Sequence, residues 1–347
     1  MLDIKFVRAN QGVVREDLEK RQDKEKLSWL DELLDADAQY RKLNLEAEAL
    51  RAQRNIATKA INEAIKSKKS PSELDGLKLE AAQIPKKIKE AEEKTKDLDE
   101  KIRFYLMRLP NILHESVPFG KDDSGNKVIK TWGNVRKLSA QMPPHGEWLE
   151  KNDLAEFSRA AKISGAGFYF LKGGMALLEL ALQRFAIDSL SKKGFTPVTP
   201  PFMMNRAAYE GVTSLDDFEK VMYKIDGHDA YLIATSEHPL TAMYKDEVLD
   251  EDSLPIQLCG ISTCFRREIG AHGLDTKGIF RVHQFNKVEQ IVLCKPEDSW
   301  AWHEKMQENA EEFFQKLEIP HQVVSICTGD IGIVAAKKYD VEAWMPR

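Results

Sequence analysis

The feature that most limits what this chain can fold into is an unbroken three-four alternation of small and apolar residues in its first third. Leu74, Leu77, Ala81, Ile84, Ile88, Ala91, Thr95, Leu98, Ile102 and Tyr105 recur without a miss. That spacing keeps side chains on one stripe of an α-helix and forms the a/d seam of a coiled coil. A second seam precedes it. Leu33, Tyr40, Ala47 and Ile61 share one heptad position, with Arg54 as its polar exception, and Ala36, Leu43, Leu50, Ala57 and Ala64 share another. Between the two lies the polar stretch Lys66 to Glu73, which contains Pro71 and a helix-start signal. Two long helices folded back on each other as an antiparallel hairpin satisfy this pattern. At about 1.5 Å per residue, each reaches roughly 50 Å. Pro85 falls inside the second helix, where it should kink the helix or cost a backbone hydrogen bond.

The pattern changes near residue 110. Residues 27–107 are rich in Ala, Leu, Glu and Lys and hold a single Gly, at 76, while the rest carries most of the Gly, Pro, Phe and Trp. Leu109 to Pro118 ends the arm, and the stretch from Gly120 to Gly125 reads as a turn-rich linker. This divides the chain into an arm domain, 1–110, and a globular domain, 111–347. In the second, helical spacing runs from Met175 to Ser191 and from Trp300 to Leu317. Strand-like runs lie at 230–235, 256–262, 279–285, 288–294 and 321–327. Strands broken by occasional helices point to α+β, with an antiparallel sheet flanked by helices.

Several classes are excluded. No apolar run approaches the ~18 residues needed to cross a bilayer. The start, Met1 to Lys5, lacks the layout of a signal peptide. The four cysteines, Cys259, Cys264, Cys294 and Cys327, include no C-x-x-C pair. A disulfide framework and a structural zinc site are therefore not expected, and a reducing cytoplasm is the expected compartment. Cys264, His272 and His283 match no standard zinc spacing, and no G-x-x-x-x-G-K-[ST] phosphate loop occurs. With 51 basic and 56 acidic residues, the net charge is −5, so any nucleic-acid binding must be local. The arm offers such a patch in Arg51, Arg54, Lys66, Lys68 and Lys69. Those cations suit a phosphate backbone. They equally suit a solvated face balanced by neighbouring acids, or a coiled coil that binds another protein.

The densest chemistry lies from Phe265 to Glu289. Arg266, Arg267 and Glu268 precede a Gly-containing turn, 269–278, and then come Arg281, Val282, His283, Gln284, Phe285 and Glu289. Two strands joined by that turn would bring these side chains together. Period-two spacing sends His283, Phe285, Lys287 and Glu289 one way, and Val282 and Gln284 the other. Arg266 and Arg281 suit bidentate phosphate recognition, and Phe285 suits stacking on a flat ring. A hairpin in which these Arg and Glu side chains simply pair with each other fits as well.

Arg266 to Glu268, followed by Gly278 to Glu289, resembles motif 2 of the class II aminoacyl-tRNA synthetases. With Thr235, Ser236 and Glu237 upstream, the wording is similar to the seryl-tRNA synthetase family, most nearly its archaeal and eukaryotic branch. The segment Lys193 to Pro201 and the helix before it resemble motif 1, and the hairpin resembles the family's tRNA-binding arm. The resemblance implies ATP-dependent activation of L-serine and transfer to serine tRNA, with Mg²⁺, as a homodimer. It implies that Arg266 and Glu268 are catalytic. ATP would be bound by Arg266, Arg267, Glu268 and Val282 to Phe285, and serine by Thr235, Ser236, Glu237, Arg266 and Glu289. Motif 3, further strands of the sheet and an acidic Mg²⁺ ligand lie beyond Arg347 in the family. No metal ligand is therefore assignable, and the class II domain is expected to be C-terminally incomplete. A fragment of a working ligase, or a non-catalytic relative acting as an RNA-binding or scaffold protein, are the two readings this leaves.

Overall fold

The helical hairpin dominates the first compact unit of the computed structural model, which describes residues 2–68, 70–136, 142–213, 221–268 and 278–345. Two short helices, α1 (Ile4–Ala9) and α2 (Gln11–Lys20), lead into α3 (Lys24–Lys66) and α4 (Pro71–Leu106). The Asp23 side chain caps α3 by accepting from the Lys26 N–H. Ser70 and Glu73 form a reciprocal capping box on α4, with Pro71 in its first turn. From 71 to 105 the only residues that are not exposed are the ten of the three-four stripe. Arg54, the polar exception on α3, is exposed. α4 continues through Pro85, so Pro85 removes one donor without ending the helix.

The hairpin is thin along most of its length and thickens at its base. There Val7, Val14, Leu18, Leu30, Leu33, Ile102, Tyr105 and Leu109 form one core. This unit is not contiguous in sequence: it comprises residues 1–126 and 326–338. The later segment docks by backbone hydrogen bonds, Asn111 N–H to the Ile333 carbonyl at 2.8 Å and His114 N–H to Ala336 at 2.9 Å. The buried Arg21 guanidinium donates to the Asn111 carbonyl at 2.8 Å, and Asp17 accepts the Leu113 N–H at 2.8 Å.

The second unit, 127–325 with 339–347, is built on short sheets and one long hairpin. Its elements are β1 (Lys127–Trp132), α5 (His145–Lys151), β2 (Ala155–Glu156), α6 (Phe157–Ser164), β3 (Phe170–Leu171), α7 (Gly173–Ser191), β4 (Thr196–Val198), β5 (Met203–Asn205), α8 (Arg206–Val212), β6 (Ala230–Leu232), α9 (Glu237–Ala242), β7 (Ile256–Phe265), β8 (Gln284–Leu293), α10 (Ser299–Lys316), β9 (His321–Ser325) and β10 (Tyr339–Ala343). β7 and β8 pair antiparallel over ten residues, from Ile256 opposite Leu293 to Phe265 opposite Gln284. β4 joins the other side of β7 in parallel. β9 lies between β1 and β10.

Several strand expectations shift: the expected strands 230–235 and 321–327 end at Leu232 and Ser325. The run 288–294 is the second half of one strand that begins at Gln284, and 279–283 is irregular. That irregular backbone is held from outside, with the Ile279 N–H donating to His145 Nε2 at 3.1 Å and Arg281 bound to Glu268. Beneath β8, Val288 and Val292 pack with Leu190, Phe195, Cys259, Trp302 and Met306. Cys259 and Cys264 are buried free thiols, and burial pushes the Cys259 thiol up to about 11. Trp300 is exposed on α10, while Phe313 and Phe314 pack against each other on that helix. Trp344, which reads as core in the sequence, is only half-buried. Among the described residues, no helix is long and apolar enough to cross a membrane.

Candidate active site

The β7–β8 hairpin places the motif at its open end. β7 stops at Phe265, so Arg266 and Glu268 leave the strand rather than lie on it, while Phe285, Lys287 and Glu289 lie on β8. The ladder extends one step further, because the Arg266 N–H donates to the His283 carbonyl at 2.9 Å. The Arg266 guanidinium sits over the Phe285 ring, 5.2 Å from its centroid, and its Nε donates to the Ala234 carbonyl at 3.3 Å. Among the described residues no carboxylate forms an ion pair with Arg266, although its charge acts on the nearby Glu237 carboxyl, so the guanidinium keeps donors that an anion could use. Glu268 behaves differently. It accepts from Arg281 Nε at 2.6 Å and holds a left-handed backbone, φ +45°, which costs a non-glycine residue about 1 kcal/mol or more. Arg281 is therefore paired with Glu268, whereas Arg266 has no carboxylate partner among the described residues.

A second cluster lies beside it. The Thr235 hydroxyl donates to Glu289 Oε2 at 3.0 Å and accepts the Glu237 N–H at 3.1 Å. Lys287 Nζ lies 2.5 Å from the same Glu289 oxygen. Glu237 as a residue is exposed, yet desolvation by the groups packed around its carboxyl, helped by the nearby Glu289 charge, raises it above its ordinary range, and Lys287 and Arg266 offset part of that rise. His238 packs edge-on against Tyr209, and burial, with Lys287 and Arg266 nearby, pushes its imidazole down to about 4. It is neutral at pH 7.

Gly260 allows this cluster to form. It lies opposite Glu289 in the ladder. A Cβ there would come 2.6 Å from Leu240 Cδ1 and 2.7 Å from Ser236 Oγ. Only glycine lets the 235–240 segment press onto the sheet. Ser236 is fully buried, and its hydroxyl has no hydrogen-bond partner among the described residues. Its side chain is wedged against Gly260, so what it can offer a ligand is backbone.

The remaining expected residues are dispersed. Val282 is buried, Gln284 and Arg267 are exposed, and His283 is half-buried. The His283 ring stacks on Phe168, with centroids 5.2 Å apart. On the arm, Arg51 pairs with Glu92 at 2.8 Å, whereas Arg54, Lys66 and Lys68 are exposed. Lys69, His272 and the turn 269–277 lie outside the described residues. No group of three or more His, Cys, Asp or Glu side chains converges as a metal cage among the described residues. Sequence reasoning missed Lys287 as the partner of Glu289, and missed Tyr223 and Phe168 around His283. The period-two pattern on β8 was a signal for Lys287, but nothing local marks the other two.

Comparison with known proteins settles the family. Residues 1–113 match the seryl-tRNA synthetase N-terminal domain, and residues 220–347 match the tRNA synthetase class II core domain (G, H, P, S and T). The serine–tRNA ligase of Methanospirillum hungatei is 60% identical over 347 residues, covering 100% of this chain and 81% of the relative. The chain belongs to the seryl-tRNA synthetase family. It is thus an aminoacyl-tRNA synthetase of class II, a ligase of the serine type. The serine–tRNA ligase of Pyrococcus horikoshii is 49% identical over 366 residues. The crystal structure of seryl-tRNA synthetase from that organism, complexed with ATP, superposes with a TM-score of 0.91 at 48% identity, covering 100% of this chain and 81% of that one. The cytoplasmic serine–tRNA ligase from Naegleria fowleri, in complex with AMP, gives 0.85 at 33% identity, covering 99% and 82%. Both agree with the expected arm followed by an α+β class II domain.

Proposed function

We propose that this chain activates L-serine with ATP and passes the seryl group to serine tRNA, with Arg266 and the Thr235–Glu237–Glu289 cluster as its working centre. The observation that carries the reading is an arginine with no carboxylate partner among the described residues, beside two carboxylates, Glu237 and Glu289, close enough to repel each other. The first suits a phosphate and a carboxylate. The second suits an ammonium.

In this reading the serine ammonium lies among Thr235, Glu237 and Glu289. A cation there relieves the mutual repulsion of Glu237 and Glu289 and takes the place of Lys287 on Glu289. Arg266 draws the serine carboxylate and the α-phosphate together. One carboxylate oxygen attacks phosphorus, its bond forms as the bond to pyrophosphate breaks, and the guanidinium stabilises the charge that develops on the phosphoryl oxygens. The Phe285 ring stacks with adenine, and Glu268 accepts from its amino group. A terminal ribose hydroxyl of the tRNA then attacks the seryl carbonyl, and AMP leaves. Mg²⁺ arrives as MgATP and is part of the substrate.

Binding of tRNA by the hairpin, through Arg54, Lys66, Lys68 and Lys69, belongs to the same proposal, as does a homodimer through α7. Leu177, Leu178, Leu180 and Leu182 leave that helix with an exposed apolar surface, which monomeric proteins seldom keep. A split into 1–110 and 111–347, a cytoplasmic setting and the remaining ATP contacts, Arg267, Val282 and Gln284, complete it.

The test is serine-dependent ATP–pyrophosphate exchange, run on this chain and on a version extended by the remaining fifth of a relative's length. Exchange by either supports the proposal. Silence from both, with tRNA binding retained, overturns it in favour of a non-catalytic RNA-binding protein.

A further inference from the structure

We infer that His283 is a positioning residue for Arg266: it acts through the Arg266 backbone and not by touching the nucleotide. The inference rests on the adenylation reading above and departs from the expectation that His283 lines the ATP site. His283 Nδ1 lies 2.9 Å from the Arg266 carbonyl oxygen. A carbonyl only accepts, so this contact is a hydrogen bond in the tautomer with the proton on Nδ1, which we assign here and in which the Tyr223 hydroxyl oxygen also accepts from Nδ1. The Tyr223 hydroxyl lies 2.8 Å from the same nitrogen. In return, the Arg266 N–H donates to the His283 carbonyl at 2.9 Å. Arg266 is thus clamped on both sides of its Cα by one residue, at the point where β7 has ended.

The ring has little left to offer a ligand. One face stacks on Phe168, 5.2 Å away at 14°. The Nε2 edge lies against Gly167, where an added Cβ would overlap the ring and reach 2.9 Å from Nε2. The His283 N–H donates to the Gly167 carbonyl at 2.9 Å. Beyond Arg266 the chain enters the left-handed turn at Glu268, and the Arg266–Arg267 peptide is held at two points, the Arg267 N–H donating to the Val221 carbonyl at 2.7 Å and the Arg266 carbonyl facing His283, so losing the second leaves it a single anchor about which to tilt. A tilt of about 10° there, carried over a side chain of about 6 Å, moves the guanidinium by about 1 Å, an error of the size that costs catalysis about a hundredfold.

Calorimetry with two probes tests this: adenosine, and a non-hydrolysable sulfamoyl analogue of seryl-adenylate, which alone places a carbonyl and an anionic linker at Arg266. His283→Phe keeps a ring on Phe168 and removes the donor. It should weaken the analogue at least tenfold and leave adenosine within about twofold. His283→Asn returns an N–H to the Nδ1 position and should restore most of the loss, whereas His283→Gln should not. In an Arg266→Ala background, His283→Phe should cost less than about twofold more, the signature of action through Arg266.

A parallel loss of adenosine affinity overturns the inference in favour of direct contact, and additive losses overturn it in favour of general packing. If His283→Phe fails to fold, the Asn–Gln contrast decides alone. Wild type that binds no analogue removes the adenylation reading itself. Wild type that binds it, with every His283 variant unchanged, removes only the role of His283.

Discussion

Thr235→Val isolates one hydroxyl that ties the 235–240 segment to β8. Valine keeps the shape and opens no cavity, so the loss is polar. Thr235 is 4% exposed, and its hydroxyl makes two bonds, to Glu289 at 3.0 Å and from the Glu237 N–H at 3.1 Å. A hydrogen bond to a charged acceptor contributes about 1.5–3 kcal/mol, and the low end applies because Glu289 keeps Lys287. Stranding the N–H at the start of α9 costs about 1–3 kcal/mol. The sum is about 3 kcal/mol, or a fall in Tm of about 6–12 °C for a unit of this size. If about half of it also falls on serine recognition, kcat/KM for serine drops about tenfold, with ATP KM little changed. Differential scanning calorimetry and serine-dependent pyrophosphate exchange read the two effects, and Thr235→Ser should restore both. A Tm loss under about 2 °C, with serine kinetics intact, would refute the idea that this hydroxyl organises the site.

Arg266→Ala should abolish adenylate formation and leave tRNA binding by filter retention within about twofold; unchanged exchange would remove Arg266 from the centre. Glu237→Gln should act in opposite directions on stability and binding. The unfolded carboxyl titrates near 4.5 and the folded one higher, so the folded state keeps its proton longer and stability falls as pH rises through that window. At neutral pH the Gln variant should therefore melt higher yet bind serine more weakly; a lower Tm would contradict the repulsion with Glu289. Neutralising Lys66, Lys68 and Lys69 together should weaken tRNA binding and flatten its log–log salt slope, by about 0.9 for each phosphate no longer neutralised. An unchanged slope would return them to a solvated face.

What was legible in the sequence follows from how local each constraint is. The α4 stripe could be read residue by residue because helical burial is set by spacing of three and four. The hairpin turn was legible because Ser70, Pro71 and Glu73 cap a helix whatever surrounds them. The alternation along β8 put Phe285, Lys287 and Glu289 on one face for the same reason. The docking of 326–338 onto the first unit was not legible, since irregular backbone bonded to irregular backbone leaves no periodic trace. Nor were the pairings of Arg281 with Glu268 and of Thr235 with Glu289. The same groups could have paired otherwise, and only the tertiary fold around the open end of the hairpin selects them. The resemblance supplied site residues that composition alone left open, but not that Ser236 would be a buried wedge.

The register of β8 joins the packing of the sheet to its chemistry. Its even-numbered side chains face the helices. Asn286 donates to Glu179 on α7 at 2.6 Å, and Gln290 both donates to the Met306 carbonyl at 3.2 Å and accepts from Asn309 at 2.7 Å. Lys193 closes the chain by donating to Asn309 at 2.7 Å. Its odd-numbered side chains form the candidate site. A slip of one residue would exchange the two faces, burying Lys287 and Glu289 under the sheet and presenting Asn286, Val288 and Gln290 to the ligand. The apolar packing of Val288 and Val292 would resist such a slip, and the polar bonds of Asn286 and Gln290 resist it more specifically, because each has a partner at one register only. Gly260 makes the same demand from the other strand, since it must lie opposite Glu289 for Ser236 and Leu240 to seat. The polar groups beneath the sheet and the glycine above it therefore select the alignment in which Arg266, Phe285 and Glu289 share a face, and in that sense they belong to the chemistry although none of them touches it.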